Sequence, residues 1–204
     1  MAVGTKGENT RALIIRTALT LALERGLEAL SLGLLAEAAG LSKSGLFAHF
    51  KSKEALQFAV LDEAVETFAD RVVAPALTKP RGEPRLRALF LGKLAWFDSN
   101  GVGKGCIFSA LQEEFDDRPG PLLDRLVEAE LAWRGTLVKA AALAIREHHL
   151  APDTDVEQLA FELEGIDASY RHHRKFLGDA SASKRALRAY QRLIGEDARA
   201  PRRR

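Results

Sequence analysis

Cysteine is almost absent from this 204-residue sequence, which contains one, Cys106. A single thiol excludes an intramolecular disulfide and a zinc site built from four thiolates of one chain, and it fits a reducing compartment. The sequence also lacks an apolar run approaching the ~18 residues that a membrane span needs, and its first residues contain no apolar segment of the secretory type. We therefore predict a cytoplasmic protein without a membrane segment.

An excess of charge of one sign is absent too, since 30 Lys and Arg against 28 Asp and Glu leave a net charge of +2. This balance excludes general attraction of nucleic acid by the whole surface, so DNA binding would depend on local placement of charge. Catalytic motifs such as GxSxG and HExxH are missing. The neighbouring histidines His148 and His149 point about 100° apart on a helix, so one pair does not suit one metal ion, and a zinc site would need this pair to meet His172 and His173 in space. We expect neither an enzyme active site nor a metal or cofactor.

The period-2 alternation that is typical of strands occurs nowhere, whereas apolar residues recur every three or four positions along most of the chain. This spacing predicts an all-α fold of about nine helices. Glycine and proline mark the expected ends: the first helix runs from about Thr10 to Arg25, and the fourth begins at Ser52 and runs to about Ala76. Asp153 or Thr154 is expected to cap the helix that begins near Val156.

Residues 31–50 have the pattern of two short helices joined by a tight turn. An apolar face recurs at i, i+3, i+4 and i+7 over Leu32, Leu35, Ala36 and Ala39. Ser31 and Ser42 stand where N-cap residues belong, and Gly40 suits the left-handed turn between the helices. The pattern predicts a helix-turn-helix, whose second helix lies in the DNA major groove. An ordinary helical hairpin with solvated polar residues fits the spacing equally well.

The second of these helices carries side chains suited to reading DNA. Its polar positions supply a cation, a small hydroxyl, a glycine that permits close approach and a ring that can donate, accept or stack, at Lys43, Ser44, Gly45 and His49. Leu46 and Phe50 are four residues apart and are expected to face the interior. Lys53 lies in the first turn of the next helix, where an acidic residue is preferred, and this placement makes sense if Lys53 faces a phosphate.

The segment LSKSGLFAHFKSKEAL (41–56) closely resembles the recognition-helix signature of the TetR family of transcriptional regulators. TRALIIRTALTLALERG (10–26) resembles the first helix of that family, and LSLGLLAEAAG (30–40) resembles the second. The resemblance covers about residues 10–61. It implies an N-terminal three-helix helix-turn-helix DNA-binding domain over 8–54, followed by a larger helical ligand-binding and dimerisation domain over 55–196. The composition of 197–204 predicts a disordered basic tail.

The resemblance also implies functional roles. We expect the DNA-binding residues to be Ser31, Ser42, Lys43, Ser44, Gly45, Phe47 and His49, with Lys53 on the DNA backbone. Phe47 departs from the tyrosine that is usual in the family, whose hydroxyl binds a phosphate, so Phe47 can offer only an apolar contact such as one with a thymine methyl. The expected function is transcriptional regulation, as a repressor that leaves a near-palindromic operator on double-stranded DNA when a small apolar or aromatic effector binds.

Dimerisation and effector binding are assigned to the later helices, again by resemblance. A homodimer through the last two helices is expected to use Leu159, Leu163, Ile166, Tyr170, Leu187, Tyr190 and Ile194. The effector pocket is expected to be lined by Leu89, Phe90, Trp96, Phe97, Cys106, Phe108, Leu111, Trp133 and Tyr170. Residues of this kind are more often plain core than pocket wall, and the periodicity of the last helices cannot separate a core from a partner surface.

Several alternatives stay open at this point. The chain can be a helical small-molecule carrier or enzyme whose helix-turn-helix is vestigial, or a structural helical dimer. The acidic cluster Glu113, Glu114, Asp116 and Asp117 can bind a hard cation, although a solvated helix end is the expected explanation. Cys106 is expected to be a buried small apolar residue, with a ligand-facing or redox-sensing thiol as the alternative.

Overall fold

The computed structural model describes residues 6–99 and 105–195, and these ranges contain helices and no strand. The predicted all-α fold is therefore confirmed, while the tail 197–204 lies outside the described residues. The helices are α1 (Lys6–Arg25), α2 (Leu32–Ala38), α3 (Lys43–His49), α4 (Lys53–Phe68), α5 (Ala74–Leu77), α6 (Glu83–Ser99), α7 (Ile107–Phe115), α8 (Pro121–Arg146), α9 (Val156–Arg171) and α10 (Ala182–Leu193).

Two π-helical turns extend this framework. The turn Ala69–Val73 joins α4 to α5 without a break, and the turn His172–Phe176 continues α9. Pro75 has no N–H to give to the carbonyl four residues earlier, and the wider turn directly precedes it. Since α4 and α5 form one helical segment, the ten α-helices make nine segments in the described ranges, as predicted.

Side-chain caps explain where several helices begin. The hydroxyls of Ser31, Ser42 and Ser52 each accept the backbone N–H three residues later, at 3.1, 3.0 and 3.0 Å. These bonds satisfy amides that have no partner inside the helix, and each is worth about 1 kcal/mol. The cap of α9 is Asp155, whose carboxylate accepts two backbone N–H groups at 3.0 Å. The prediction of Asp153 or Thr154 as that cap was wrong.

The chain packs into two compact units. Among the described residues, those up to Thr67 and Cys106–Ala129 form the first unit, and those between Phe68 and Gly105 together with those from Glu130 onwards form the second. In the first unit the fully buried side chains include Ile14, Leu27, Leu35, Leu46 and Leu56. In the second unit they include Leu86, Leu89 and Tyr190. The predicted boundary at 54/55 divides the chain by function, into a DNA-binding and a ligand-binding domain, and not by packing. That boundary stays a prediction.

Within residues 6–99 and 105–195, no helix has both the length and the apolar character needed to cross a membrane.

Candidate functional site

The turn between α2 and α3 has the geometry that a helix-turn-helix requires. Gly40 adopts a φ of +67°, and the N–H of Leu41 donates to the carbonyl of Ala36 at 2.8 Å. A glycine takes this left-handed conformation at little cost, and the reversed chain then satisfies the last carbonyls of α2. Three residues later α3 begins at Lys43.

Helix α3 has one buried face and one exposed face. Leu46 is fully buried and Phe50, just after the helix, is 2% exposed. Lys43 and Ser44 are exposed, Phe47 is 50% exposed and His49 is partly buried. Burying an apolar side chain of this size contributes about 1.5–3 kcal/mol, so Leu46 fixes the rotation of a helix only two turns long. The polar face that was predicted to read DNA is the face left open.

The serine hydroxyls of this motif have structural partners. Ser31 and Ser42 are N-caps, and the Ser42 Oγ also lies 3.1 Å from the Ser44 Oγ. A hydroxyl that accepts a backbone N–H keeps its own O–H as a donor. Capping is therefore compatible with the DNA contacts expected of these serines, which stay predictions together with Gly45 and His49.

Lys53, the predicted backbone-contacting cation, is engaged by a carboxylate of the same unit. Its Nζ lies 2.7 Å from Glu28 Oε1 and also donates to the Glu28 backbone carbonyl. The other oxygen, Glu28 Oε2, accepts from Gln57 Nε2 at 2.9 Å. The hydrogen bond from Lys53 and then that from Gln57 lower the pKa of Glu28 below its usual value. Sequence reasoning did not single out Glu28.

Glu114 has a defined contact in the same unit. Its Oε2 accepts the backbone N–H of Leu27 and its Oε1 that of Glu28, both at 2.7 Å. These are charge-assisted bonds, about twice as strong as neutral ones. The expectation of a solvated helix end was therefore wrong for Glu114, because the loop after α1 brings two amides without helical partners to its carboxylate. The other three acidic residues of the cluster are exposed.

An aromatic cluster lies in the second unit, around Phe68. Trp96 and Trp133 both meet its ring edge to face, with centroids 5.4 and 5.1 Å away. The Lys93 ammonium sits 4.9 Å from the Phe68 ring centre and 5.5 Å from that of Trp133. The two predicted tryptophans are thus brought together by a phenylalanine and a lysine that the sequence analysis did not assign to a pocket.

Tyr170 is fixed by hydrogen bonds inside its own chain. Its hydroxyl donates to Asp98 Oδ2 at 2.7 Å, and the Arg174 Nε donates to Asp98 Oδ1 at 3.2 Å. Its ring meets that of Phe97 at 5.8 Å. Burial, and then the bond to Asp98, raises the pKa of Tyr170. Such a side chain packs within the unit and has little freedom to move.

All nine predicted pocket residues are buried. The second unit contains Leu89, Phe90, Trp96, Phe97, Trp133 and Tyr170, and the first unit contains Cys106, Phe108 and Leu111. Burial is what a pocket wall and a plain core share, so the roles of these residues stay predictions.

Most of the predicted dimer residues are buried within a single chain. Leu159, Leu163, Tyr170, Tyr190 and Ile194 are each at most 8% exposed, and only Ile166 and Leu187 keep part of their surface. Periodicity marks the positions that are buried without telling which chain buries them. The large exposed apolar residue on α9 is Phe161, at 61%. It was not among the predicted residues because it lies off the main stripe.

Asp167 is a buried carboxylate that sequence reasoning also missed. Its Oδ2 accepts from Arg171 Nε at 3.1 Å, while its Oδ1 is buried with no hydrogen-bond partner. Burial is the largest influence on this group and raises its pKa, against the opposing charges of Lys93 and Arg171. An unpartnered buried carboxylate oxygen costs stability.

We expect Asp167→Asn to stabilise the protein increasingly as the pH rises above 3.8, the ordinary pKa of the group. The raised pKa means that the folded state holds a proton on Asp167 which the unfolded state has lost, so the contribution of Asp167 to the stability of the wild type falls as pH rises through this window. Urea unfolding of both proteins at equal concentration and at several pH values measures the difference. The exposed Asp153→Asn is the control. A difference between wild type and Asp167→Asn that does not change with pH would contradict the expectation.

Comparisons with known proteins agree with this geometry. A family model described as "Bacterial regulatory proteins, tetR family" matches residues 14–60, and one described as "Tetracyclin repressor-like, C-terminal domain" matches residues 82–190. Among curated proteins none matches this sequence. The second model alone covers more than half of the chain, so the chain belongs to the TetR family. It is a DNA-binding transcriptional regulator of a family that responds to ligands, and the predicted helix-turn-helix is confirmed.

Solved structures show the same fold at low sequence identity. A TetR regulator from Chloroflexus aurantiacus has a TM-score of 0.82 at 23% identity and covers 96% of this chain and 98% of its own. One from Cytophaga hutchinsonii has 0.80 at 24%, with the same coverage. AibR, solved with isovaleryl coenzyme A and operator DNA, has 0.71 at 22% and covers 92% of this chain and 97% of its own.

Proposed function

We propose that this chain is a cytoplasmic, non-enzymatic repressor that binds a near-palindromic operator as a homodimer and leaves it when a small apolar or aromatic effector binds. The observation that carries the proposal is α3, a two-turn helix anchored by buried Leu46 with its polar face open. A helix presented in this way fits the width of the major groove. AibR, which has this fold, was solved with both an operator and a small ligand.

The DNA contacts would divide by chemistry. Lys43 is placed to reach base edges or a phosphate, whereas Ser44, Gly45 and His49 would face the groove floor. Phe47 would pack on a thymine methyl, because it lacks a hydroxyl. Ser31 and Ser42 would donate to the backbone while they cap α2 and α3.

A near-palindrome requires two recognition helices about 34 Å apart, or a multiple of a helical turn. One chain supplies one such helix, so a dimer must supply the other. Mixing the protein with a duplex enriched by selection and sedimenting the complex gives the stoichiometry. Two chains per duplex is the expected result, and one chain would contradict the two-fold arrangement.

We place the dimer contact on the exposed side of α9, centred on Phe161. Of the predicted dimer residues, Ile166 and Leu187 keep part of their surface and stay in the proposal. We expect Phe161→Asp to dissociate the dimer while the monomer stays folded, because the side chain is 61% exposed in one chain. Leu163→Asp is unsuitable as a test, since a charge at a site that is 2% exposed would unfold the chain.

The control for Phe161→Asp is Leu77→Asp, which also places a charge at an exposed apolar residue, 51% exposed on α5. Sedimentation velocity reports the oligomeric state, and circular dichroism reports folding. We expect Leu77→Asp to remain a dimer. A fully dimeric Phe161→Asp would show that the contact lies elsewhere.

The effector would bind in the second unit, among Phe90, Trp96, Phe97 and Trp133, with Leu89 and Tyr170 completing the wall. Cys106, Phe108 and Leu111 belong to the first unit, and their pocket role remains a sequence-based proposal. Aromatic walls with few polar anchors select apolar or aromatic ligands. A thermal-shift screen of such compounds, followed by release of labelled operator, tests this. Compounds that stabilise the protein and never release DNA would count against an effector role.

A further inference from the structure

Glu28 and Glu114 form a polar chain that ends on Lys53. Lys53 Nζ meets Glu28 Oε1 at 2.7 Å and donates to the Glu28 carbonyl, so two of its three donors are occupied. We propose that Glu28 is an internal competitor of DNA: its carboxylate holds Lys53 when no DNA is bound, and Glu114 of α7 holds Glu28 in place. This inference rests on the proposed role of Lys53 at the DNA backbone.

The competition follows from charge. A paired lysine and glutamate present almost no net charge to a phosphate, whereas a free lysine presents one positive charge and releases counterions when it binds. The side chains of Lys53 and Glu28 are 37% and 46% exposed. A pair as open as this is held weakly, so a phosphate can displace the carboxylate. Glu28 therefore lowers the affinity for DNA without preventing binding.

Gln57 provides a second hydrogen bond that holds the Glu28 carboxylate beside Lys53. Its Nε2 donates to Glu28 Oε2 at 2.9 Å, so the carboxylate is held by α4 from a second position, one turn beyond Lys53. Both partners favour the ionised form of Glu28, which is why its pKa is lowered. The charge that opposes a phosphate is thus present at neutral pH.

Glu114 positions the backbone that carries Glu28. It accepts the N–H of Leu27 and of Glu28 at 2.7 Å, and these two bonds fix the loop between α1 and α2. Gly26 leaves the space for this carboxylate, since a Cβ there would lie 2.7 Å from Glu114 Oε1. Helix α7 lies within residues 82–190, which match the C-terminal family model, yet it packs in the first unit. A displacement of α7 would therefore release the loop between α1 and α2, and the Glu28 side chain would no longer be held beside Lys53.

The test uses Glu28→Gln, which keeps an oxygen to accept from Lys53 and removes the charge. Binding is measured by fluorescence anisotropy over a range of salt concentrations, on a selected duplex and on a scrambled duplex of equal length. We expect Glu28→Gln to bind both duplexes about 1.4- to fivefold more tightly, the range that ~0.2–1 kcal/mol for an exposed pair implies. The salt slope should become steeper by up to about 0.9.

Asp62→Asn is the matched control, because Asp62 pairs with Arg125 at 2.9 Å within the same unit and the change in net charge is the same. We expect its affinity to stay near that of the wild type. In a Lys53→Ala background the gain from Glu28→Gln should disappear, since Glu28 acts through Lys53. A gain that persists undiminished in that background, or an equal gain in Asp62→Asn, would overturn the inference.

The Lys53→Ala variant alone separates the two proposals. If Lys53→Ala weakens binding to both duplexes while Glu28→Gln binds as the wild type does, the competitor is refuted and the DNA role of Lys53 stands. If Lys53→Ala changes neither affinity nor salt slope, the backbone role is refuted, and the inference falls with it.

Glu114→Ala tests independently whether Glu114 positions Glu28. Without its acceptor the loop loosens, and we expect tighter DNA binding in the same direction as Glu28→Gln, with no further gain in the double variant Glu28→Gln/Glu114→Ala. Thermal unfolding confirms that the variant remains folded at the assay temperature. Additive gains would show that Glu114 does not act through Glu28 and would overturn this part of the inference.

Discussion

Lys43→Ala is expected to weaken operator binding by about five- to 150-fold, the range given by ~1–3 kcal/mol for a specific charged contact. Lys43 is exposed in the first turn of α3, whose rotation is fixed by the fully buried Leu46. Its ammonium therefore lies on the exposed face that we propose enters the groove. If the contact is a phosphate, the slope of log affinity against log salt also falls in magnitude by about 0.9.

Anisotropy titrations of labelled operator at four or five salt concentrations measure both quantities. Lys79→Ala is the control, because it removes the same charge from an exposed lysine just after α5. We expect that variant to bind nearly as the wild type does. If the two variants lose equal affinity, Lys43 contributes only general charge, and the proposed reading face is wrong.

Gly26→Ala is expected to reduce the free energy of unfolding by about 2–4 kcal/mol. Gly26 has a φ of +86°, where a side chain costs roughly 1–2 kcal/mol. A Cβ would also lie 2.7 Å from Glu114 Oε1, which disturbs charge-assisted bonds worth about 1.5–3 kcal/mol each. The conformational cost and the displaced carboxylate act together at this one position.

Gly40→Ala is a matched control, because Gly40 has a φ of +67° and nothing within 4 Å of an added Cβ. It should cost only the conformational part, about 1–2 kcal/mol. Urea unfolding at one protein concentration compares the variants, since the stability of a dimer depends on concentration. In a Glu114→Ala background Gly26→Ala should cost no more than Gly40→Ala. Equal costs for both glycines in the wild type would show that Glu114 does not clamp the loop.

The helices and turns of the first sixty residues could be predicted from the sequence because the capping residues, the apolar repeats and the glycine turn all indicate the same boundaries. Ser31, Ser42 and Ser52 each precede an apolar repeat, and each is a cap in the structure. Gly40 is where a left-handed turn was needed. At the start of α9 the signal was ambiguous, since Asp153, Thr154 and Asp155 are all good caps, and only the backbone geometry selects Asp155.

Contacts between segments that are far apart in the chain could not be predicted from the sequence. Glu114 accepts hydrogen bonds from backbone amides that are 86 and 87 positions away in the sequence. Nothing in the acidic cluster indicates which of its four carboxylates will contact the loop after α1. The same limit applies to Asp167, where the helical stripe predicts an apolar neighbour at Ile166 and says nothing of a buried carboxylate. Apolar periodicity likewise located Leu163 and Tyr190 as buried and could not tell a core from a partner surface.

Selection of bound DNA from a random pool at moderate salt, followed by sequencing, tests the central claim most directly. A homodimer that presents α3 twice should enrich a near-palindrome whose half-site centres are one helical turn, about 34 Å, or a multiple of it apart. Enrichment of such a motif by the wild type, and its loss in Lys43→Ala, is the predicted result. A folded dimer that enriches no sequence would contradict the account, and the chain would then be a helical ligand carrier with a helix-turn-helix that no longer reads DNA.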